Sequence, residues 1–205
     1  MAGTRSSGSN RTRYARLSHA SLIVIPKMLQ ELLMFYEPPV YLLQDCTNKL
    51  YNRYLNSRER EQVKHAKQNG YGNFDIPLIY TLLRNLNLNP AFPEPSKGWG
   101  SQVDPSSSEI RDGDDLERCR RSRNAIVHKG NTNFGNEDVL KYFKSFKNIA
   151  RRLEKKLKKR NNEFFSEIEF LEECCMDEET EQKYLEELRV YKVTISQLKG
   201  LCYKI

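Results

Sequence analysis

From Asn136 to Arg160 the chain reads NEDVLKYFKSFKNIARRLEKKLKKR, with Val139, Phe143, Phe146, Ala150, Leu153 and Leu157 spaced alternately by four and three. That spacing gathers all six on one side of an α-helix, whereas a strand would divide them between two faces. A seam this long needs other apolar helices to pack against. IPKMLQELLMFYE predicts one, with Pro26 either starting it or kinking an earlier turn, and Pro38-Pro39 ending it. VYLLQDCTNKLYNRYL aligns Leu43, Thr47, Leu50 and Tyr54 on a helical stripe, and Asn56 with Glu59 resembles a capping box for a following short helix.

GYGNFDIPLIYTLLRNL has the clearest start signal. Asp75 fits the N-cap, Pro77 lies in the tolerant first turn, and Phe74 can staple onto Ile79. Ile76, Ile79, Tyr80, Leu83 and Leu86 make its apolar face, and Asn89-Pro90 closes it. DGDDLERCRRSRNAIVHKG is the next helix, with acids in its first turn and Gly130 at its exit. After Asn161-Asn162, Leu188, Tyr191, Ile195 and Leu198 continue a helical seam. No stretch has strand character. The expected fold is all-α, a bundle of about five to six helices. Residues 1–17 are expected to be a disordered basic tail, 18–160 the helical domain, and 161–205 an acidic, then amphipathic, extension packing on or prolonging the bundle.

The 205 residues carry a formal net charge of +7, and its placement is uneven. Arg5, Arg11, Arg13 and Arg16 make the start basic; Lys141 to Arg160 is almost wholly basic, with Glu154 the exception; Glu163 to Glu187 is acidic but for Lys183. A basic face attracts nucleic acid or phosphate, unless the acidic segment folds back over it. No run approaches the roughly 20 apolar residues of a membrane span, and the start lacks the apolar stretch of a secretory signal. The five cysteines match neither a disulfide framework nor a zinc site. A reducing, cytoplasmic setting is the expectation.

Between about Leu88 and Ser108 lies a Pro/Ser-rich loop with the only tryptophan, Trp99, between two glycines. Loops of this length in compact domains are functional or disordered, and packing is the default role for such a ring. There is no phosphate-binding loop, no HExxH and no nucleophile elbow. Of the three histidines only His128 sits among polar groups that a reaction could use. Arg120, Asn124 and His128, four apart, share one side of their helix, and Leu116, Cys119, Arg123 and Ile126 or Val127 another.

Arg123, Asn124 and His128 form the pattern R-N-x-x-x-H. With FDIPLIYTLLRNL before it and GWG between, the chain over roughly residues 20 to 155 resembles HEPN (higher eukaryotes and prokaryotes nucleotide-binding) domains. The resemblance is to the subgroup named for the DAZ-interacting zinc-finger E3 ligase. It implies a dimeric helical domain that binds RNA, with the motif helices facing across the interface, and a metal-independent endoribonuclease activity. The chemistry suits the residues. Attack by the RNA 2′-hydroxyl needs proton transfer near neutrality, which histidine supplies, and donors for the phosphorane, which arginine's planar fork supplies. His128 would be the general acid/base, Arg123 the phosphate and transition-state ligand, and Asn124 the residue orienting the imidazole. Arg120, Arg121 and Lys129 are the candidate phosphate contacts, and no metal or cofactor is required.

Five residues of separation place Arg123 and His128 about 140° apart on an ideal helix. They meet at one phosphate only if the helix distorts before Gly130 or a second protomer completes the site. Two other readings stay open. In one, the arginines are a solvated basic face and His128 a helix C-terminal cap, in a non-catalytic dimerisation or adaptor module of a signalling, innate-immune or ubiquitin-linked pathway. In that module residues 161–205 would take a protein partner. In the other, a nuclease is held silent by a partner or by its own acidic segment.

Overall fold

The computed structural model describes residues 9–128, 134–174 and 178–202, and no strand occurs among them. The first rod is α1 (Asn10–His19), a π-helical turn (Ala20–Val24) and α2 (Ile25–Tyr36) in continuous succession. Pro26 explains the π turn. It offers no N–H and crowds the preceding carbonyls, and the ladder widens just before it so that the Ile25 N–H reaches the Ala20 carbonyl. The rod begins inside the segment expected to be a tail. Ser9 caps it by accepting the Thr12 N–H, and Tyr14, Ala15 and Leu17 are buried. Residues 1–8, with Arg5, lie outside the described residues, and two of the tail's described cations find partners. Arg16 donates to the carbonyls of Glu172 and Cys174, and Arg11 and Thr12 both bond the Glu181 carboxylate, at 2.7 and 2.6 Å.

The stretch expected as one helix from Tyr41 to Tyr54 is broken. Thr47 caps a new helix through the Leu50 N–H, so α3 (Leu42–Asp45) and α4 (Asn48–Arg53) present different faces. Leu42, Cys46 and Leu50 are buried, whereas Leu43 and Tyr54 of the expected stripe are exposed. The capping box of Asn56 and Glu59 does open α5 (Ser57–Lys64), which a short α6 (Ala66–Asn69) follows. Asp75 caps α7 (Ile76–Asn85) through the Leu78 N–H, and that helix ends four residues before Asn89-Pro90.

Helices α8 (Asp112–His128) and α9 (Asn136–Lys156) cross the centre, and every seam residue of α9 from Val139 to Leu153 is buried. The one acid in the basic run has a structural task. Buried Glu154 accepts the N–H groups of Phe164 (2.7 Å) and Phe165 (3.2 Å), capping α10 (Glu163–Glu173), whose own N-cap residue Asn162 contributes no side-chain bond. Helix α10 lies on α9, and α11 (Glu178–Cys202) lies along α1. The extension therefore packs back on the bundle. Leu188 is buried and Tyr191 and Ile195 half-buried against the core, while the side chain of Leu198 lies outside the described residues. No helix among the described residues is long and apolar enough to cross a membrane.

Glu37, at the end of α2, is buried beside Asp45. Burial, and then the charge and hydrogen bond of Asp45, push its carboxyl up from 4.5 to about 7. The folded state thus holds a proton that the unfolded chain has released over this interval. The stability contribution of protonated Glu37 is complete below about pH 4.5 and is lost as pH rises through 7. Glu37→Gln should therefore raise stability at pH 8 by roughly 1–3 kcal/mol and change it little at pH 4.5, measured by thermal denaturation at both pH values.

Candidate functional site

Helix α8 is unusual in what it buries: Asp114, Asp115, Glu117 and Arg123 are each less than a tenth exposed. These three acids, of which Asp114 and Asp115 lie in the first turn that the sequence reading marked as dipole-complementing, each hold a separate part of the fold. Asp114 accepts the N–H groups of Ser96 and Arg111 and the Ser96 hydroxyl; burial alone would raise its pKa, but these hydrogen bonds hold it below the usual carboxylate value. Asp115 receives a two-pronged bond from Arg152 of α9, at 2.7 and 2.6 Å, and another from Arg118. Glu117 accepts the Tyr80 hydroxyl at 2.5 Å, the Gly100 N–H at 2.7 Å and Arg120 Nε at 2.8 Å. Burial and then the Glu117 bond push the Tyr80 phenol up to about 12.

These contacts fold the loop of residues 88–111 onto α7 and α8. Gly98 and Gly100 take positive φ values of 79° and 73°, which suits glycine and swings Trp99 inward. Its ring meets Tyr80 edge-on and stacks on Phe92, so it packs as the default reading expected. Gly113 is required for a different reason. Its N–H bonds the Pro93 carbonyl, and a Cβ there would stand 2.4 Å from that oxygen and 2.5 Å from the Pro95 nitrogen.

The arginines that follow also grip this loop. Arg118 donates to the Ser106 and Glu109 carbonyls, both at 2.6 Å. Arg120 is neutralised by Glu117 and lies over the Tyr80 ring. Arg121 pairs with Asp104 and donates to the Ser101 carbonyl. Arg120 and Arg121, candidate phosphate contacts, therefore both hold internal partners while keeping about a quarter of their side-chain surface exposed. Lys129, the third candidate, lies outside the described residues.

Arg123 is 6% exposed, and its whole fork is engaged. Nη1 donates to the Asn124 side-chain oxygen at 2.8 Å; Nη2 and Nε donate to the Tyr191 hydroxyl of α11 at 2.9 and 3.3 Å. The guanidinium also stands 5.1 Å from the Tyr191 ring centroid. Tyr191 donates in turn to Asp75, the cap of α7, at 3.4 Å. Burial, with the Asp75 charge next, raises the Tyr191 phenol pKa against the opposing pull of Arg123. Asn124 thus orients the arginine. His128 is exposed at the helix end. Helix α8 stays α-helical through His128, so no distortion within it swings the histidine towards Arg123. Periodicity instead puts His128 within about 20° of Arg121 and on the stripe of Ala125.

Sequence reasoning did not identify Tyr191 or Asp75 as neighbours of the motif. Tyr191 stood out only as a seam residue and Asp75 only as a cap. The acidic segment does fold back: Glu172 pairs with Lys147, Glu163 with Lys159, Glu167 with Lys27 and Glu181 with Arg11. Lys141, Lys144 and Lys155 of α9 stay exposed, with no ion pair among the described residues. No group of three or more His, Cys, Asp or Glu able to hold a metal ion occurs among the described residues. Cys46 and Cys119 are buried free thiols, and burial pushes that of Cys46 up to about 12.

Residues 29–184 match the family model described as DZIP3/hRUL138-like HEPN. The chain belongs to this HEPN family. No curated protein and no solved structure matches it. The matched span of this HEPN domain contains Arg123, Asn124 and His128, whereas Tyr191, which holds Arg123, lies beyond its end. Gly113→Ala should lower the stability of the domain by about 2–3 kcal/mol, because backbone rather than a movable side chain fills the space. The emission of the single tryptophan, Trp99, should shift towards that of a solvated ring as the loop loosens; unchanged stability and emission would contradict this role.

Proposed function

We propose that the chain is an RNA-binding HEPN domain, with cleavage by 2′-hydroxyl attack held off while α11 is seated. The observation that carries this reading is the division of the motif: Arg123 is buried under Tyr191, while His128 is exposed on another face of the same helix. In the cleaving arrangement His128 moves the proton, Arg123 binds the phosphate as charge accumulates on it, and the product ends are 2′,3′-cyclic phosphates. Arg123 reaches a phosphate only by leaving the Tyr191 hydroxyl. A homodimer that brings two His128 faces together does not remove this requirement, because each copy keeps its own arginine covered. A hydrogen bond to a charged group contributes about 1.5–3 kcal/mol, so the latch holds the active population down by roughly ten- to a hundredfold.

The same geometry favours one rival. An arginine whose three nitrogens all find partners inside the fold is a sufficient structural anchor, which suits a non-catalytic adaptor. Exposed Phe170, Val190 and Val193 on the 161–205 extension would then face a protein partner.

Incubation with single-stranded RNA in EDTA separates the two. Slow cleavage by the wild type should rise about tenfold or more in Tyr191→Phe, which keeps the ring but loses the acceptor. It should vanish when His128→Ala is added. If Tyr191→Phe binds RNA and cleaves none, the nuclease reading is wrong and the adaptor reading stands.

A further inference from the structure

On the other side of α8 from Arg123, α8, α9 and the 101–105 segment of the loop enclose a cleft of about 380 Å³. Arg121, Ser122, Lys141, Tyr142, Ser145 and Asp104 are among its lining residues. Its polar groups are unbalanced. The Lys141 ammonium, the Ser122 and Ser145 hydroxyls and the Tyr142 hydroxyl have no hydrogen-bond or ionic partner among the described residues. Arg121 has Nε and Nη1 engaged and Nη2 without a partner. Arg118 also reaches the cleft, bonded to Asp115, a carboxylate it shares with Arg152. The one carboxylate in the lining is Asp104, which is 75% exposed and pairs with Arg121. Asp138 of α9 is the other acid whose charge reaches the Tyr142 ring.

We infer that this cleft binds the phosphate of a nucleotide unit, with Arg121 and Lys141 as charge partners, the serine hydroxyls as further donors, and Tyr142 against the base or sugar. A concave surface with several free donors and one exposed carboxylate is complementary to an anion. Asp104 occupies the place of that anion on Arg121 and, being exposed, is displaced at little cost. The volume suits one nucleotide. The unit is either a free mononucleotide or one residue of an RNA strand. In the second case the inference rests on the RNA-binding reading and adds a path. From Arg121 past Ala125, α8 leads in about 10 Å to His128 on the same stripe, so a strand seated in the cleft continues towards the histidine.

Titration calorimetry of the full chain with AMP and with a short single-stranded oligouridine tests this. The variants are Lys141→Glu, Ser145→Ala and Asp104→Asn. Lys141 is exposed and unpartnered, so its replacement leaves the fold intact. Lys141→Glu should weaken binding at least tenfold, Ser145→Ala by a few fold, and Asp104→Asn should tighten it several fold. AMP that competes with oligouridine, with both responding to the variants, establishes the strand as the source. Response of AMP alone establishes the free nucleotide and leaves the RNA-binding reading to its own assay. Absence of binding by both ligands, or binding that ignores Lys141→Glu and Asp104→Asn, overturns the inference.

Discussion

Helix α8 carries three carboxylates and a guanidinium into the interior, and a charge taken out of water is tolerable only when it is paired and hydrogen-bonded. This constraint organises the domain. Asp115 draws Arg152 across from α9, Glu117 draws Tyr80 from α7 and the Gly100 backbone, and Asp114 draws in Ser96. Arg123 draws Tyr191 from α11, which is bonded in turn to Asp75 at the head of α7. Apolar seams bring the helices together, but these polar contacts select which turn of one helix meets which turn of another.

The same pairing decides what the motif can do. Arg123, buried with each of its three nitrogens bonded inside the fold, presents no open face to a phosphate, whereas Arg121 keeps Nη2 without a partner. The geometric objection present in the five-residue spacing is therefore sharpened. Arg123 and His128 are separated by helix phase and by the Tyr191 side chain of α11 over the arginine. What remains facing solvent on the histidine's stripe is Arg121 and the cleft beside it, where donors outnumber acceptors. The cleft and His128 thus share one side of α8 and Arg123 lies on another, with Tyr191 of α11 over it; under the proposed reading α11 decides whether the arginine can join them.

Much of the local structure was legible in the sequence because its causes are local. The four-and-three seam of α9, the Asp75 cap and the Asn56–Glu59 capping box each depend on residues within a few positions. The resemblance carried by FDIPLIYTLLRNL, GWG and the motif led to the right family. The failures share the opposite cause. Residues 10–17 fold because Glu172, Cys174 and Glu181, more than 150 positions away, engage their arginines and Thr12. The stripe from Leu43 to Tyr54 fails because Thr47 takes the backbone as a cap. The arginines of α8 read in the sequence as phosphate ligands or, alternatively, a solvated face, yet each answers a particular carboxylate, carbonyl or phenol, and periodicity does not encode those partners. Tyr191 is the clearest case: at its place in a helical seam nothing distinguishes a packing ring from an acceptor for a motif arginine 68 residues earlier.

A latch of this kind requires that Arg123 and Tyr191 be energetically coupled in the folded domain. A double-mutant cycle on denaturant unfolding, using Arg123→Met, Tyr191→Phe and the pair, measures that coupling directly. The two substitutions should be non-additive by about 1.5–3 kcal/mol, the range for a hydrogen bond to a charged group. Additive losses would mean that the phenol does not hold the arginine, and the closed arrangement of the motif would not stand.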